Sequence, residues 1–229
     1  MRSTIERMTD LPHLETDGPL RILHLGGDEN RMSPAWLDAV HALLDQIEAD
    51  ESPAVLLTIG DGRFFSNGLD LDWLGEHPDE MGSYVGRIHA LFARVLTFPV
   101  PTVAAVNGHA FGAGAMLAMA HDSRVMRDDR GFFCFPEVDI QIPFTTGMNA
   151  LIVAKLAPAA AVESMTTGRR YDGPTALATG LVEATASTED LRETAAARVR
   201  DLAGKHRPTL AAIKSTLFAD AVAALVPNH

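Results

Sequence analysis

Two glycine-containing turns and one glutamate hold most of the chemistry open to this chain. The first turn lies in the stretch Val100–Glu137. Pro101 opens it, and the β-branched and Ala run Thr102–Val106 predicts a buried strand. Asn107-Gly108 breaks that strand, Gly112-Ala113-Gly114 follows, and Ala115–Ala120 is a run of good helix formers. A helix entered this way leaves its first backbone amides without intrahelical partners. Small residues let another group approach those amides closely, so the turn can receive an anion or a developing oxyanion. The same residues also fit a tight connection packed against a neighbouring helix.

The second turn is Gly60-Asp61-Gly62-Arg63-Phe64-Phe65-Ser66-Asn67-Gly68-Leu69-Asp70-Leu71, directly after the apolar run Ala54–Ile59. A loop at the C-terminal end of a buried parallel strand is where open α/β sheets bind ligands. The glutamate is Glu137, preceded by Phe132-Phe133-Cys134-Phe135-Pro136. A carboxylate in apolar surroundings has its pKa raised and can act as a base near neutral pH. At a strand end, which is where the pattern places Glu137, a solvated surface residue is the other reading. Asp139, two residues on, would then share its face in extended chain, either coupling to it or forming a salt bridge.

The elements that must position these groups follow from periodicity. Asp17-Gly18-Pro19 predicts a turn and Leu20–Leu25 a strand ended by Gly26-Gly27. Ser33-Pro34 is a cap followed by proline at the first helical position, and Leu37, Val40, Leu43, Leu44 and Ile47 carry that helix to about Ala49. Helical spacing of Val85, Ile88, Leu91, Phe92 and Val95 predicts a second helix over Met81–Leu96. Short strands are expected at Ser123–Met126 and Phe132–Phe135. Helices then dominate at Phe144–Leu156, Ala159–Thr166, Pro174–Thr179, Glu189–Ala203 and Pro208–Leu225, with an extended piece at Leu181–Ala184. One α/β domain over residues 1–229 with a helical C-terminal appendage accounts for the pattern.

Composition narrows the partners. A net charge of −11 opposes non-specific nucleic-acid binding and attraction to an anionic membrane. No apolar run approaches the ~18 residues of a membrane span. The single cysteine, Cys134, cannot form an internal disulfide and reads as a small core residue. With no leader-like pattern in MRSTIERMTDLPHLE, the expectation is a soluble cytoplasmic protein. His109 and His121 have no carboxylate or Cys/His partner at metal-ligand spacing, so no metal site is expected. Asp70 reads as a loop-fixing acceptor, and Asp122 as structural at the end of the central helix.

Taken in order, Ser66-Asn67-Gly68-Leu69-Asp70, Asn107-Gly108-His109-Ala110-Phe111-Gly112-Ala113-Gly114 and Phe135-Pro136-Glu137 resemble the crotonase superfamily, the enoyl-CoA hydratase/isomerase group. Asn30-Arg31-Met32-Ser33, Thr167-Gly168-Arg169-Arg170-Tyr171-Asp172 and Gly180-Leu181-Val182-Glu183-Ala184 look like further markers, so the resemblance runs from about residue 15 to 218. It implies a spiral ββα core to about residue 185, followed by a shortened helical C-terminal region of the kind that builds trimers or hexamers. It also implies an acyl-CoA thioester as substrate, with coenzyme A part of that substrate and no separate cofactor. The thioester carbonyl would be polarised by the backbone N–H groups of Leu69 and Ala113, with Glu137 as base. Arg63, Ser66, Asn67, Gly68, Asp70, Gly112 and Met116 would surround the ligand.

One departure matters. Where hydratases of the family carry a second glutamate, early in the helix after the glycine turn, this chain has Met116. A methionine cannot activate water, whereas moving a double bond needs only one base to take a proton at C2 and return it at C4. The pattern, including Pro143-Phe144, therefore looks closest to the peroxisomal or monofunctional Δ3,Δ2-enoyl-CoA isomerases. Two alternatives stand beside it: a hydratase or other crotonase reaction with Asp139 or a loop group as second acid, and a non-catalytic acyl-CoA-binding protein.

Overall fold

The computed structural model describes residues 11–227; the first ten residues of the leader-free N-terminal reading lie outside them. Strand β1 (His13–Asp17) turns at Gly18 and pairs antiparallel with β2 (Leu20–His24). Parallel strands β3 (Val55–Ile59), β5 (Thr102–Val106), β7 (Ser123–Arg127) and β9 (Ala184–Ala186) extend the sheet in the order β1-β2-β3-β5-β7-β9. A second, three-stranded parallel sheet holds β4 (Phe64–Ser66), β6 (His109–Phe111) and β8 (Phe133–Cys134). Each of β3, β5 and β7 thus passes to a short strand of the small sheet and then to a helix. That repeat is the expected ββα spiral.

The central strands are continuous apolar runs because both faces of the large sheet are covered. Alternate residues serve opposite cores. Leu23, Leu56, Ala104, Val106 and Met126 face one cluster, while Leu20, Ile22, Val55, Leu57, Val103, Ala105 and Val125 face another. Helices α1 (Pro34–Ala49), α2 (Leu71–Glu76), α3 (Met81–Leu96) and α4 (Ala113–Ala120) border the first core. Every residue of α4 is buried, as a helix that is apolar all round requires. Ser33 caps α1 by accepting from Trp36 N at 3.2 Å, with Pro34 at its first position as predicted.

Helices α5 (Glu137–Ile140), α6 (Thr146–Lys155), α7 (Pro158–Thr167) and α8 (Gly173–Ala178) follow, and α9 (Leu191–Val199) seals the second face. The helix predicted over Pro208–Leu225 is two helices, α10 (Arg207–Leu217) and α11 (Ala219–Leu225), bent by 78° at Phe218. The bend lets Ala221 and Leu225 reach the core, with α11 so close to α6 that a Cβ on Gly147 would stand 2.8 Å from Ala224 O. A straight helix would carry those side chains into water. Lys214 anchors the bend, its Nζ donating to Phe98 O and Val100 O at 3.0 Å and pairing with Asp122 at 2.7 Å.

Three further differences are local. The strands β4 and β6 stand inside what the sequence presents as loops. The extended piece expected at Leu181–Ala184 is displaced to β9. Glu137 opens a helical turn and does not end a strand. No single helix among the described residues is long and apolar enough to cross a membrane.

Candidate active site

The loop after β3 is fastened from beneath by asparagines. Asn30, itself at φ 52°, donates through Nδ2 to Phe65 O at 3.0 Å, and Asn107 accepts from Gly60 N at 2.8 Å and donates to Gly62 O at 2.9 Å. Ser66 Oγ donates to Asn30 O at 2.8 Å and accepts from Gly68 N at 3.2 Å. Asn67 N donates to Glu29 O at 2.8 Å. Asp70 caps α2 through Trp73 N at 3.1 Å, and its own N–H donates to Tyr84 Oη at 2.8 Å. Flanked by these bonds, Leu69 N–H donates to no protein acceptor among the described residues.

Gly68 (φ +83°) presses this loop against the start of α4. A Cβ there would meet Phe111 O at 2.7 Å and Ala113 N at 3.0 Å. Gly114 repeats the closeness from the helix side, since its Cβ would lie 2.2 Å from Ser66 O. The amides of Leu69 and Ala113 are therefore brought to one place, and Ala113 N–H likewise has no protein acceptor among the described residues. Gly112 (φ +52°) turns the chain into the helix while its N–H donates to Cys134 O at 3.0 Å.

Glu137 meets this pair of amides at Gly112, where a Cβ would lie 3.3 Å from Glu137 Oε1. The side chain is buried, 8% exposed, and Oε2 has no hydrogen-bond partner among the described residues. Burial pushes its carboxyl up from an ordinary 4.5 to about 7. Asp139 takes no part. Helical turn α5 carries it to the exposed side, where its carboxylate lies against Gly168 without an ion pair among the described residues. Both expectations for Asp139, a shared face with Glu137 and a salt bridge, are corrected by that turn.

A cavity of about 810 Å³ opens over these groups. Leu69, Gly112, Ala113, Met116 and Glu137 lie on its wall, and Leu74, Val85 and Met148 extend the apolar part. Met116 is fully buried, so no second acid stands in that wall position. A shallower cavity of about 710 Å³ also touches Glu137, along Val138, Gln141 and Phe144. The larger one contains both amides and is the site.

Of the sequence-derived ligand residues, Asn67, Leu69, Gly112, Ala113 and Met116 line the cavity with Glu137. Ser66, Gly68 and Asp70 hold the loop from behind. Arg63 does not line this cavity: its side chain is exposed and lies over the Phe64 ring at 5.6 Å. Two other arginines do. Arg31 lines the mouth, paired with Glu29 at 2.6 Å and with Asp72. Arg170 lies over the Phe111 ring at 5.6 Å with no ion pair among the described residues. Both belong to motifs that mark the family resemblance, which was the only signal for them.

His121, Asp122, His24 and Cys134 are structural. His121 is wholly buried between Leu117 O (2.9 Å) and Thr58 Oγ1 (2.8 Å), and burial holds it down near 4, a neutral ring. Asp122 accepts from Thr102 N at 2.8 Å. His13, His24 and Asp61 cluster at the sheet edge, an arrangement the sequence spacing conceals. His24 lies 2.5 Å from Asp61 and 3.2 Å from Glu15, and these carboxylates raise its pKa, Asp61 foremost. That pairing occupies both ring nitrogens with protons and favours an imidazolium over a metal ligand. Cys134 donates to Gly168 O at 3.3 Å, and burial pushes its thiol up to about 11, which leaves it inert.

A ββα spiral that brings two free amides and one buried carboxylate to a common cavity defines a crotonase-type site, and the chain belongs to the enoyl-CoA hydratase/isomerase family, whose model matches residues 25–227. Among individual proteins, it is 37% identical over 216 residues to Enoyl-CoA delta isomerase 3 of Arabidopsis thaliana, covering 90% of this chain and 91% of that one. It is 35% identical over 200 residues to a putative enoyl-CoA hydratase of Thermus thermophilus, covering 84% and 77%. The structure of an enoyl-CoA isomerase from Mycobacterium tuberculosis superposes with a TM-score of 0.87 at 28% identity, covering 95% of each chain.

Proposed function

We propose that this protein shifts the double bond of 3-enoyl-CoA thioesters to the 2-position, in the manner of a Δ3,Δ2-enoyl-CoA isomerase of fatty-acid oxidation. The observation that carries this is the buried carboxylate of Glu137 beside Gly112, unpaired among the described residues, in a cavity whose wall carries Met116 where the resemblance to hydratases would place a second glutamate. Ionised Glu137 removes a C2 proton, and negative charge moves to the thioester oxygen. The amides of Leu69 and Ala113 stabilise that oxygen, each donor contributing about 3 kcal/mol. The same carboxylic acid then returns the proton at C4. With its carboxyl near 7, both forms of Glu137 are accessible at neutral pH, as a two-way proton shuttle needs.

The arginines at the mouth, Arg31 and Arg170, suit the phosphates of coenzyme A, which arrives as part of the substrate. The apolar wall of Leu74, Val85, Met116 and Met148 suits the acyl chain. A homotrimer in the cytoplasm, built through the α10–α11 region, is the working form this reading expects.

Following conjugated-thioester absorbance tests the assignment. Rising absorbance with a 3-enoyl-CoA and a stable signal with a 2-enoyl-CoA are expected. Loss of signal with the 2-enoyl-CoA would make the protein a hydratase. Binding without change in either signal would make it a non-catalytic acyl-CoA-binding protein.

A further inference from the structure

The Leu69 amide is aimed by the peptide groups on either side of it. Its N–H belongs to the same planar unit as the Gly68 carbonyl, and in a trans peptide the two point in opposite directions. Gly68 O accepts from Met32 N at 2.9 Å. Met32 is fully buried, so a carbonyl fixed toward it turns the Leu69 N–H away from the core, and Leu69 lines the cavity. The bond accepted at Gly68 O also polarises the shared peptide and makes Leu69 N–H a stronger donor.

Tyr84 joins the two flanks of this donor. Its Oη accepts from Asp70 N at 2.8 Å and donates to Met32 O at 3.0 Å. Met32 is thus held through its carbonyl by the phenol while its N–H holds Gly68. The hydrogen bonds run from Asp70 through Tyr84 to Met32 and back to Gly68, with Leu69 enclosed between them. The Tyr84 ring stands on α3, is 1% exposed and packs against Trp73 with centroids 5.2 Å apart. Burial pushes the phenol up to about 12, so the O–H is kept through the neutral range. A phenylalanine would fill the same space, but it would leave Asp70 N–H without its acceptor and Met32 O without this donor. Tyr84 does not line the cavity, so its hydroxyl meets the chemistry only through the loop that carries Leu69.

We propose that Tyr84 is a positioning residue for the oxyanion site, its hydroxyl fixing the direction of the Leu69 N–H without touching the substrate. This rests on the oxyanion role given to Leu69 and Ala113 under the proposed function. Contacts to coenzyme A and to the acyl chain come from other residues. Loss of the hydroxyl therefore weakens stabilisation of the developing charge and spares substrate binding.

The experiment compares Tyr84→Phe with Ile88→Ala. Ile88 lies one turn further along α3, is fully buried and does not line the cavity, so its truncation weakens the packing of that helix and leaves the hydrogen bonds in place. With a 3-enoyl-CoA, Tyr84→Phe should lower kcat about tenfold and change KM by less than about twofold, a part of the ~10²–10³ that removing one oxyanion donor costs. Ile88→Ala should keep both constants. Octanoyl-CoA carries no double bond to move, so infrared difference spectra of its carbon-13-labelled thioester carbonyl give a readout independent of turnover. The C=O stretch should fall on binding to the parent and to Ile88→Ala, and by only about half as much in Tyr84→Phe, where one of two donors is misdirected. An equal carbonyl shift in Tyr84→Phe and the parent would overturn the proposal. So would an equal loss of kcat in Ile88→Ala, which would make the effect one of helix packing. A parent that shifts the carbonyl without isomerising a 3-enoyl-CoA would refute the isomerase reading, and a halved shift in Tyr84→Phe would still support the positioning role. An unshifted carbonyl in the parent would overturn that role whatever the absorbance assay shows.

Discussion

Replacing Glu137 by glutamine should abolish isomerisation and, at neutral and higher pH, make the protein more stable. The carboxylate is buried, its Oε2 has no partner among the described residues, and its carboxyl is raised from 4.5 to about 7. Between those two values the folded state binds more protons than the unfolded chain, so stability falls as pH rises through that window. At about 1.4 kcal/mol per pH unit, the penalty is absent below 4.5, reaches about 3 kcal/mol above 7, and changes by about 2.5 kcal/mol between pH 5 and pH 8. Glutamine never ionises and escapes it. Urea unfolding of both proteins at the two pH values should therefore show the variant gaining about that much relative to the parent. In the parent, kcat/KM for a 3-enoyl-CoA should rise about tenfold per pH unit below 7 and level off above it, because the ionised form is the base. A stability difference that does not change with pH would refute the reasoning, since it would mean that Glu137 titrates like an exposed carboxylate.

Two other substitutions probe the scaffold. Gly68→Ala places a methyl 2.7 Å from Phe111 O and 3.0 Å from Ala113 N at φ +83°, so kcat should fall by about 10² or more through displacement of an oxyanion donor, while strain costs about 1–3 kcal/mol of stability; steady-state kinetics and denaturant melts read the two effects separately. Glu183→Gln leaves Arg124, 2% exposed, without its carboxylate partner and should lower unfolding stability by about 3 kcal/mol, with the Arg124→Met, Glu183→Gln double variant recovering part of the loss.

Elements whose signal is local were legible in the sequence. Helix α1 announces itself through Ser33-Pro34 and a three-four repeat, and β3 and β5 through uninterrupted apolar runs. The three-residue strands β4 and β6 were not, because they are too short to show alternation. What makes them strands is pairing with segments some 45 residues away, as in Phe64 with His109. The bend at Phe218 was hidden for a similar reason: residues 208–225 read as one continuous helix-forming run, and only the demand that Ala221 and Leu225 reach the core breaks it into two helices. At the site, the order of motifs marked Glu137, Leu69 and Ala113. Arg63 lies outside the cavity lining, because proximity in sequence to a binding loop says nothing about side-chain direction. Arg170 reaches the cavity from a distant segment, and packing over Phe111 puts it there.

The polar groups of this site share one property: folding leaves them without partners. Two amides at a helix entrance and one carboxylate oxygen in an apolar wall are each costly to bury unpaired. Here they face a single cavity, and they are held there by groups that are thoroughly paired. Asn30 and Asn107 fix the loop, Gly68 and Gly114 bring it against the helix, and Arg124 and Lys214 lock the elements behind. A thioester oxygen would satisfy the amides, and a substrate C–H proton would satisfy the carboxylate. The deficit in the free protein is thus the complement of the enolate formed during the reaction. That is why a mutation at Glu137 can improve stability and remove activity together, whereas a mutation at Glu183, in the paired framework, can only weaken both.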